Sequence, residues 1–220
     1  TNDSCHSEHS SIQEGPVGAF GNNTELYGFD LTFLRKPSRK AVRRLLQDRD
    51  VLLISRAIYG RPDYPMCVQS RSHGLYAEKI RANFSYYEKD LKEMKTNGQR
   101  IYRDTYIDLF KIKRKKIMNV SAYIVNQQLD NKLSGQYVIL FSSKTCFIAG
   151  TEKNAKPSNG ERVVAGTSAE NSACVLWRKA HGTEKERAQC RKAFKRKCGQ
   201  YRGHRHVYSR EECLAQRKAE

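Results

Sequence analysis

The residues with the clearest chemistry in this sequence are its seven cysteines. They form no CxxC pair and no cysteine–histidine spacing of a zinc finger, so disulfide bonds are the simpler interpretation. Spacing alone does not fix the pairing, and an odd number leaves one thiol free or bound to another chain. The positions are Cys5, Cys67, Cys146, Cys174, Cys190, Cys198 and Cys213.

Four N-glycosylation sequons accompany the cysteines, at Asn2, Asn22, Asn83 and Asn119. Glycans and disulfides are both typical of the secretory route, so we expect a secreted, extracellular glycoprotein. The chain begins without Met and without an apolar leader, as expected of a mature form whose signal peptide has been removed.

No arrangement of catalytic residues is evident. The sequence contains no nucleophile elbow, no HExxH motif and no phosphate-binding loop. The run His204-Arg205-His206 has metal-ligating side chains, but a solvated basic tail is the commoner meaning of such a run. We therefore predict a binding protein and not an enzyme, with no cofactor and no metal.

The basic residues suggest an anionic partner. The formal net charge is +18, and the cations cluster in blocks at 35–44, 111–116 and 185–205. Nucleic acid is the usual partner of such blocks, but a disulfide-bonded glycoprotein rarely meets it. We predict no nucleic-acid partner, and either an anionic, heparin-like glycan or a merely solvated basic face. No apolar run reaches the roughly 18 residues that a membrane span requires.

The chain divides into three predicted regions: an N-terminal arm at 1–36, one large domain at 37–213, and a basic tail at 214–220. Ser38 is a plausible N-cap for a short amphipathic helix over 39–46. Thr183 is the predicted start of a second helix, which ends before Gly199.

Short β-branched and aromatic runs between the two helices predict antiparallel strands around a packed interior. The predicted strands are 51–59, 66–70, 75–87, 101–113, 116–125, 136–147 and 173–179. Turn signals at 60–62, 73–74, 97–98 and 127–135 separate several of them, and 151–172 is a predicted long loop. The pattern favours an all-β, up-and-down barrel of about eight strands, wide enough for one small ligand, over a sandwich.

Residues 174–177, Cys-Val-Leu-Trp, followed by Cys190 and Cys198, resemble the Cys-x-Leu-Trp strand and cysteine-bearing helix of tick salivary lipocalins. The resemblance spans about residues 45–213 and implies an eight-stranded antiparallel lipocalin-type barrel with a short N-terminal and a C-terminal helix. It also implies three disulfides in which Cys5 takes no part, although in other members the cysteine corresponding to Cys5 is bonded to the helix. The implied pairs are Cys67–Cys213, Cys146–Cys190 and Cys174–Cys198.

The same resemblance implies that the barrel sequesters a small host inflammatory mediator. Amine-binding members, which take histamine or serotonin, carry an acid two positions before the motif Trp, because a buried ammonium needs a carboxylate partner. This sequence has Val175 there. Further candidate contacts for an amine, from the resemblance or from residue type, are Tyr59, Asp63, Tyr64, Asp104 and Asp108.

A lipid mediator, such as a leukotriene or a fatty acid, needs an apolar cavity and a cation for its carboxylate. Arg56 is in line with Leu52, Ile54 and Ile58 on the period-2 face of the first strand, which predicts that it points inward. A lipid is therefore favoured, with an amine as the alternative. The aromatic residues expected to line the cavity are Phe84, Tyr86, Phe110, Tyr123, Phe141 and Trp177.

Overall fold

The computed structural model describes residues 36–152 and 172–215. The predicted arm, Cys5, the sequons at Asn2 and Asn22, and most of the predicted 151–172 loop and 214–220 tail lie outside the described residues. The helices are α1 (Arg39–Gln47), α2 (Glu184–Cys198) and α3 (Arg210–Ala215). The strands are β1 (Leu52–Tyr59), β2 (Met66–Tyr76), β3 (Lys79–Lys89), β4 (Thr96–Ile112), β5 (Lys115–Tyr123), β6 (Gly135–Ser142), β7 (Cys146–Gly150), β8 (Ala173–Lys179) and β9 (His204–Val207).

Strands β1 to β8 form the closed, antiparallel eight-stranded barrel that the sequence predicts. Closure occurs at β1, which pairs along its length with β8 and, through Leu52 and Leu53, with β2. On the edge of β1 that pairs with β2, the residues from Arg56 to Tyr59 pair with β9. Strand β9 includes His204-Arg205-His206, which were expected to be part of a solvated basic tail, because these residues show no alternation of apolar and polar side chains.

The barrel interior follows the expected alternation in β3 and β5. Ile80, Ala82, Phe84 and Tyr86 of β3 are buried in the core, as are Met118, Val120 and Ala122 of β5. The alternate residues, including Asn83 and Asn119, lie on the outer face, because neighbouring side chains of a strand point to opposite sides.

Several predicted strand limits are wrong because the turns carry unexpected residues. The predicted strand 75–87 crosses the β2–β3 turn, where Ala77 and Glu78 have φ values of 45° and 66°. Glycine usually occupies this left-handed conformation. Because Ala77 and Glu78 adopt it here, the sequence gives no glycine signal for the turn. The predicted strand 136–147 is two strands, β6 and β7. Conversely, the predicted turns at 73–74 and 97–98 lie within β2 and β4.

The two predicted helices begin where their capping residues predict. The Ser38 hydroxyl accepts from the backbone of Ala41, and Thr183 and Glu186 form a reciprocal capping box at α2. Helix α1 buries Val42, Leu45 and Leu46 against the core. Helix α2 packs on the outer face of β6, β7 and β8.

The three expected disulfides are confirmed. Cys146 of β7 and Cys174 of β8 bond to Cys190 and Cys198 of α2, so the helix is fixed to the barrel wall at two points. The Cys67–Cys213 bond joins the start of β2 to α3. No helix among the described residues is both long and apolar enough to cross a membrane.

Candidate functional site: the barrel cavity and its mouth

The candidate site is a small cavity between the aromatic side chains of the barrel. The Trp177 ring lies 5.2 Å from that of Phe84 and 6.2 Å from that of Phe147, measured between centroids. The free volume is about 20 Å³, which accommodates about one water-sized molecule. Phe84 and Trp177 line the cavity, and the rest of its lining is mainly apolar. It consists of Ile54, Tyr59, Pro65, Met118, Val120, Lys132, Leu133, Tyr137 and Val175.

The cavity is closed on one side by the β5–β6 connection, residues 124–134, which contributes Lys132 and Leu133 to its lining. We call this connection the mouth segment. Its C-terminal part is anchored on β5, since the Asp130 amide donates to the Ala122 carbonyl at 2.8 Å and the Ala122 amide donates to the Ser134 hydroxyl at 3.0 Å. Leu133 is buried over the cavity. The N-terminal part is exposed and includes Asn126 with φ 71°. The C-terminal half of the mouth segment is therefore anchored to the barrel, whereas the N-terminal half makes few packing contacts.

Two tyrosine hydroxyls provide polar groups at the cavity. The Tyr59 hydroxyl is buried without a hydrogen-bond partner in the part of the chain that the structure describes. The Tyr137 hydroxyl donates to the Leu133 carbonyl at 3.3 Å. Burial raises the pKa of Tyr59, and it raises that of Tyr137 to about 12. Both groups therefore remain protonated donors, and Tyr59 can donate to a ligand acceptor without losing an existing bond.

Asp63, a candidate acid for an amine, lies at the mouth and is already paired. Arg61 holds it through Nε and Nη2 at 2.7 and 2.9 Å, and Lys132 lies 3.6 Å away. The Arg61 guanidinium lowers the pKa of Asp63 to about 2. Lys132 also pairs with Glu88. This network neutralises Asp63 before any ligand amine could reach it.

Tyr64, predicted as a ligand contact, stacks on Tyr59 at 5.0 Å between ring centroids. The Lys89 ammonium lies 4.1 Å from the centroid of the Tyr64 ring and donates to the Pro62 carbonyl at 3.0 Å. Tyr64 therefore packs behind Tyr59, and it supports the orientation of the cavity tyrosine.

A buried ion pair lies beside the cavity. Tyr86 Oη and Arg103 Nε both donate to Oδ2 of Asp130, each at 2.7 Å. The second carboxylate oxygen accepts from the Lys132 amide at 2.9 Å. Burial and the neighbouring Asp130 raise the pKa of Tyr86, so its hydroxyl stays protonated. Tyr86 was expected to line the cavity through its ring, whereas its hydroxyl instead fixes the mouth segment.

The prediction that Arg56 points inward is wrong. The β1–β8 register shifts between Ile54 and Arg56, so Ile54 pairs with Trp177 but Arg56 pairs with Leu176. A β-bulge adds one residue and reverses the faces that follow. Arg56 therefore lies on the outer face, and Ala57 and Tyr59 take the inward positions.

The prediction that Phe141 lines the cavity is wrong for the same reason. The β6–β7 register shifts between Ile139 and Phe141, and Phe141 pairs with Ile148. Ile148 in turn pairs with Leu176 of β8, on the outer side of the wall where α2 packs. Phe141 is buried, but it is not a cavity residue.

Four other candidates lie outside the barrel because the inward residues of their strands are the alternate ones. In β4 the buried residues that alternate with Asp104 and Asp108 are Thr105, Ile107 and Leu109. In β5 the inward residues end with Ala122. The four outer residues, whose prediction as contacts in the barrel cavity is wrong, are Asp104, Asp108, Phe110 and Tyr123.

Of the predicted ligand contacts, Tyr59, Phe84 and Trp177 come together at the cavity, where Val175 also lies. Sequence reasoning missed Lys132, Leu133, Arg103 and Asp130. Alternation with Thr105 and Ile107 would have placed Arg103 inward. The three mouth-segment residues carried no such signal, because they belong to a loop.

Comparisons with known proteins identify a family and include a solved structure of similar fold. A family model described as tick histamine binding protein matches residues 35–215. No curated protein matches the sequence. Among solved structures, Japanin from Rhipicephalus appendiculatus, crystallised bound to cholesterol, aligns with a TM-score of 0.44 and 10% identity. That alignment covers 74% of this chain and 93% of the Japanin chain.

Proposed function

The chain belongs to the tick histamine-binding protein family, and from that premise we propose that it is a secreted lipocalin that encloses one small lipid mediator of the host. Removing such a mediator, for example a leukotriene or a fatty acid, suppresses host inflammation. Secretion is supported by the three disulfides, which persist in oxidising compartments.

The observation that carries this proposal is the chemistry of the cavity lining. Among the described residues that line it there is no carboxylate, and its one charged side chain is the cation Lys132. A buried ammonium ligand would be desolvated without an acidic partner, whereas an acyl chain meets Trp177, Phe84 and Val175. A biogenic amine is therefore the alternative ligand with less support.

A lipid requires more room than the cavity provides. Since about 20 Å³ is free, binding has to displace a lining side chain. Leu133 is the residue to move, because it belongs to the mouth segment and the other apolar lining residues are mostly in strands. We propose that the C-terminal half of the mouth segment moves away from the cavity when ligand binds, by the kind of loop rearrangement that many binding proteins undergo.

Trp177 is the only tryptophan of the chain and therefore reports directly on the cavity. Titration with arachidonate or a leukotriene is expected to change its fluorescence, and raising the salt concentration should affect the affinity little, since the ligand is enclosed. Val175→Phe should weaken this binding by roughly tenfold or more, because the larger ring overfills the cavity.

The matched control is Val207→Phe, the same substitution at a position 55% exposed on β9. It is expected to bind as the parent does, and thermal unfolding of both variants checks that they fold. Saturable quenching by histamine or serotonin, without any response to the lipids, would contradict the lipid assignment.

A second candidate function is binding of an anionic, heparin-like glycan, which the arrangement of the basic blocks favours. Two of the blocks meet at the α1 end of the barrel, where Lys116 donates to the Pro37 carbonyl and Arg39 to the Leu109 carbonyl. We call the exposed cations there the α1-end patch. No carboxylate of the described residues pairs with any of them. The patch consists of Arg39, Lys40, Arg44, Lys111, Lys113 and Arg114.

Replacing three of these cations, Lys40, Lys111 and Lys113, by alanine is expected to weaken binding to immobilised heparin by about tenfold. Each exposed ion pair contributes roughly 0.5 kcal/mol, and these contributions fall as salt rises. The control replaces exposed cations of α2, at Lys185, Lys195 and Lys197. Equal losses in both variants would show that the net charge, and not the α1-end patch, determines binding.

A further inference from the structure

The buried ion pair beside the cavity has the donor geometry of a carboxylate-binding site. Tyr86 and Arg103, which we call the carboxylate clasp, direct a hydroxyl and a guanidinium N–H at one oxygen of Asp130. The side chains of Asp130 and Arg103 are 5% and 20% exposed, so the pair is largely removed from water. Charge-assisted hydrogen bonds of this kind are short and strong, and they recognise carboxylates whatever molecule carries them.

The clasp belongs to the barrel wall, whereas Asp130 belongs to the mouth segment. Arg103 lies directly across from Phe84 in the β3–β4 pairing, and Phe84 lines the cavity. Tyr86 lies two residues further along the same inward face of β3. The Leu133 amide donates to the Asp130 carbonyl at 3.2 Å. One short turn of the mouth segment therefore places Leu133 over the cavity and Asp130 in the clasp.

We propose that the carboxylate clasp anchors the carboxylate of an acidic lipid, and that Asp130 holds this place until the ligand displaces the mouth segment. The inference rests on the proposed function and specifies its ligand class as a long-chain carboxylic acid. Ligand binding exchanges the Asp130 carboxylate for that of the lipid, so Arg103 keeps an anionic partner and Tyr86 keeps an acceptor. The displaced Asp130 carboxylate becomes hydrated.

Arg103 fits this role better than Lys132. Lys132 lies on the mouth segment, next to Leu133, and it leaves the cavity when that segment lifts. Arg103 stays on β4, and among the described residues Asp130 is its one ion-pair partner. Opening the cavity therefore also frees the guanidinium. An alcohol or an amine offers no anionic replacement for Asp130, so the clasp discriminates against both.

The test compares arachidonic acid with the alcohol of the same chain, using Trp177 fluorescence. The parent protein is expected to prefer the acid by roughly tenfold to a hundredfold, the range for a hydrogen bond to a charged group. Asp130→Asn should tighten both ligands and keep the preference, because the mouth segment then competes less. The double variant Arg103→Gln/Asp130→Asn should bind both ligands equally.

The double variant removes both charges together, so neither is left unpaired and the fold is preserved. Its matched control is Arg81→Gln/Asp104→Asn, which removes an exposed arginine–aspartate pair from the outer face of β3 and β4, the two strands that carry the clasp. The control is expected to keep the full preference for the acid.

Retention of the acid preference in the Arg103→Gln/Asp130→Asn variant would overturn the clasp, as would equal affinity of the parent protein for the acid and the alcohol. That second result would leave the proposed function standing, since the barrel would still bind a lipid. If the parent protein bound neither compound, the proposed function would fail and the clasp with it.

Discussion

Replacing Cys67 and Cys213 together by alanine is expected to lower the free energy of unfolding by about 5 kcal/mol, as measured by urea denaturation. The two cysteines are 146 residues apart, so their bond closes the longest of the three disulfide loops and removes the most conformational freedom from the unfolded chain. Both residues are almost fully buried, and alanine is accommodated there without introducing a polar group.

The comparison that makes this prediction specific is the Cys174→Ala/Cys198→Ala variant. Its cysteines are 24 residues apart, which reduces the expected loss to about 3 kcal/mol. An equal loss in the two variants would show that loop length does not govern the effect, and that local packing at each bond does.

Acidification is expected to lower the free energy of unfolding by up to about 3 kcal/mol through His206. This side chain is 5% exposed on β9, and burial, with a smaller contribution from the Lys89 charge, lowers its pKa from 6.5 to about 4. Above pH 6.5 the imidazole is neutral in both states and has no effect. Between pH 6.5 and 4 the unfolded chain takes up a proton that the folded protein excludes, so stability falls.

Urea denaturation across this pH interval, with His206→Phe, isolates the contribution of His206. Phenylalanine keeps an aromatic ring beside Tyr64, whose ring centroid is 5.6 Å from that of His206, but it cannot take up a proton. The variant should therefore have a flatter stability profile than the parent. The control is His204→Phe at an exposed position of the same strand. A profile unchanged by His206→Phe would contradict this assignment.

The sequence predicts the barrel well because its main signals are local. Alternation in β3 places Ile80, Phe84 and Tyr86 inside, and Ser38 and Thr183 mark helix starts by their capping chemistry. The resemblance to tick lipocalins supplied the disulfide pairing, which spacing alone does not determine.

The errors at the site arise where one additional residue changes the face of a strand. The bulges before Arg56 and Phe141 reverse the sides that strict alternation assigns to them. A bulge depends on how two strands fit together in the closed barrel, and neither strand alone encodes it.

The mouth segment was missed for a different reason. Its position depends on hydrogen bonds between Asp130 and residues of three strands. The Asp130 amide donates to Ala122 of β5, and the Asp130 carboxylate accepts from the clasp residues of β3 and β4. These partners are far apart in sequence and have no periodic relation. The sequence therefore predicts a loop at 127–135 without indicating that its side chains close the cavity.

The pairing of β9 with β1 also determines how much of the β1 edge is left unpaired. Since β2 pairs with β1 only at Leu52 and Leu53, the stretch from Arg56 to Tyr59 would otherwise present free amide and carbonyl groups along a β edge. Such an edge is a template for adding a strand from another molecule, the first step of ordered aggregation. Four residues near the C-terminus occupy that edge, and the disulfide from α3 to β2 keeps their segment attached. The C-terminal segment therefore removes one edge at which another molecule could add a strand.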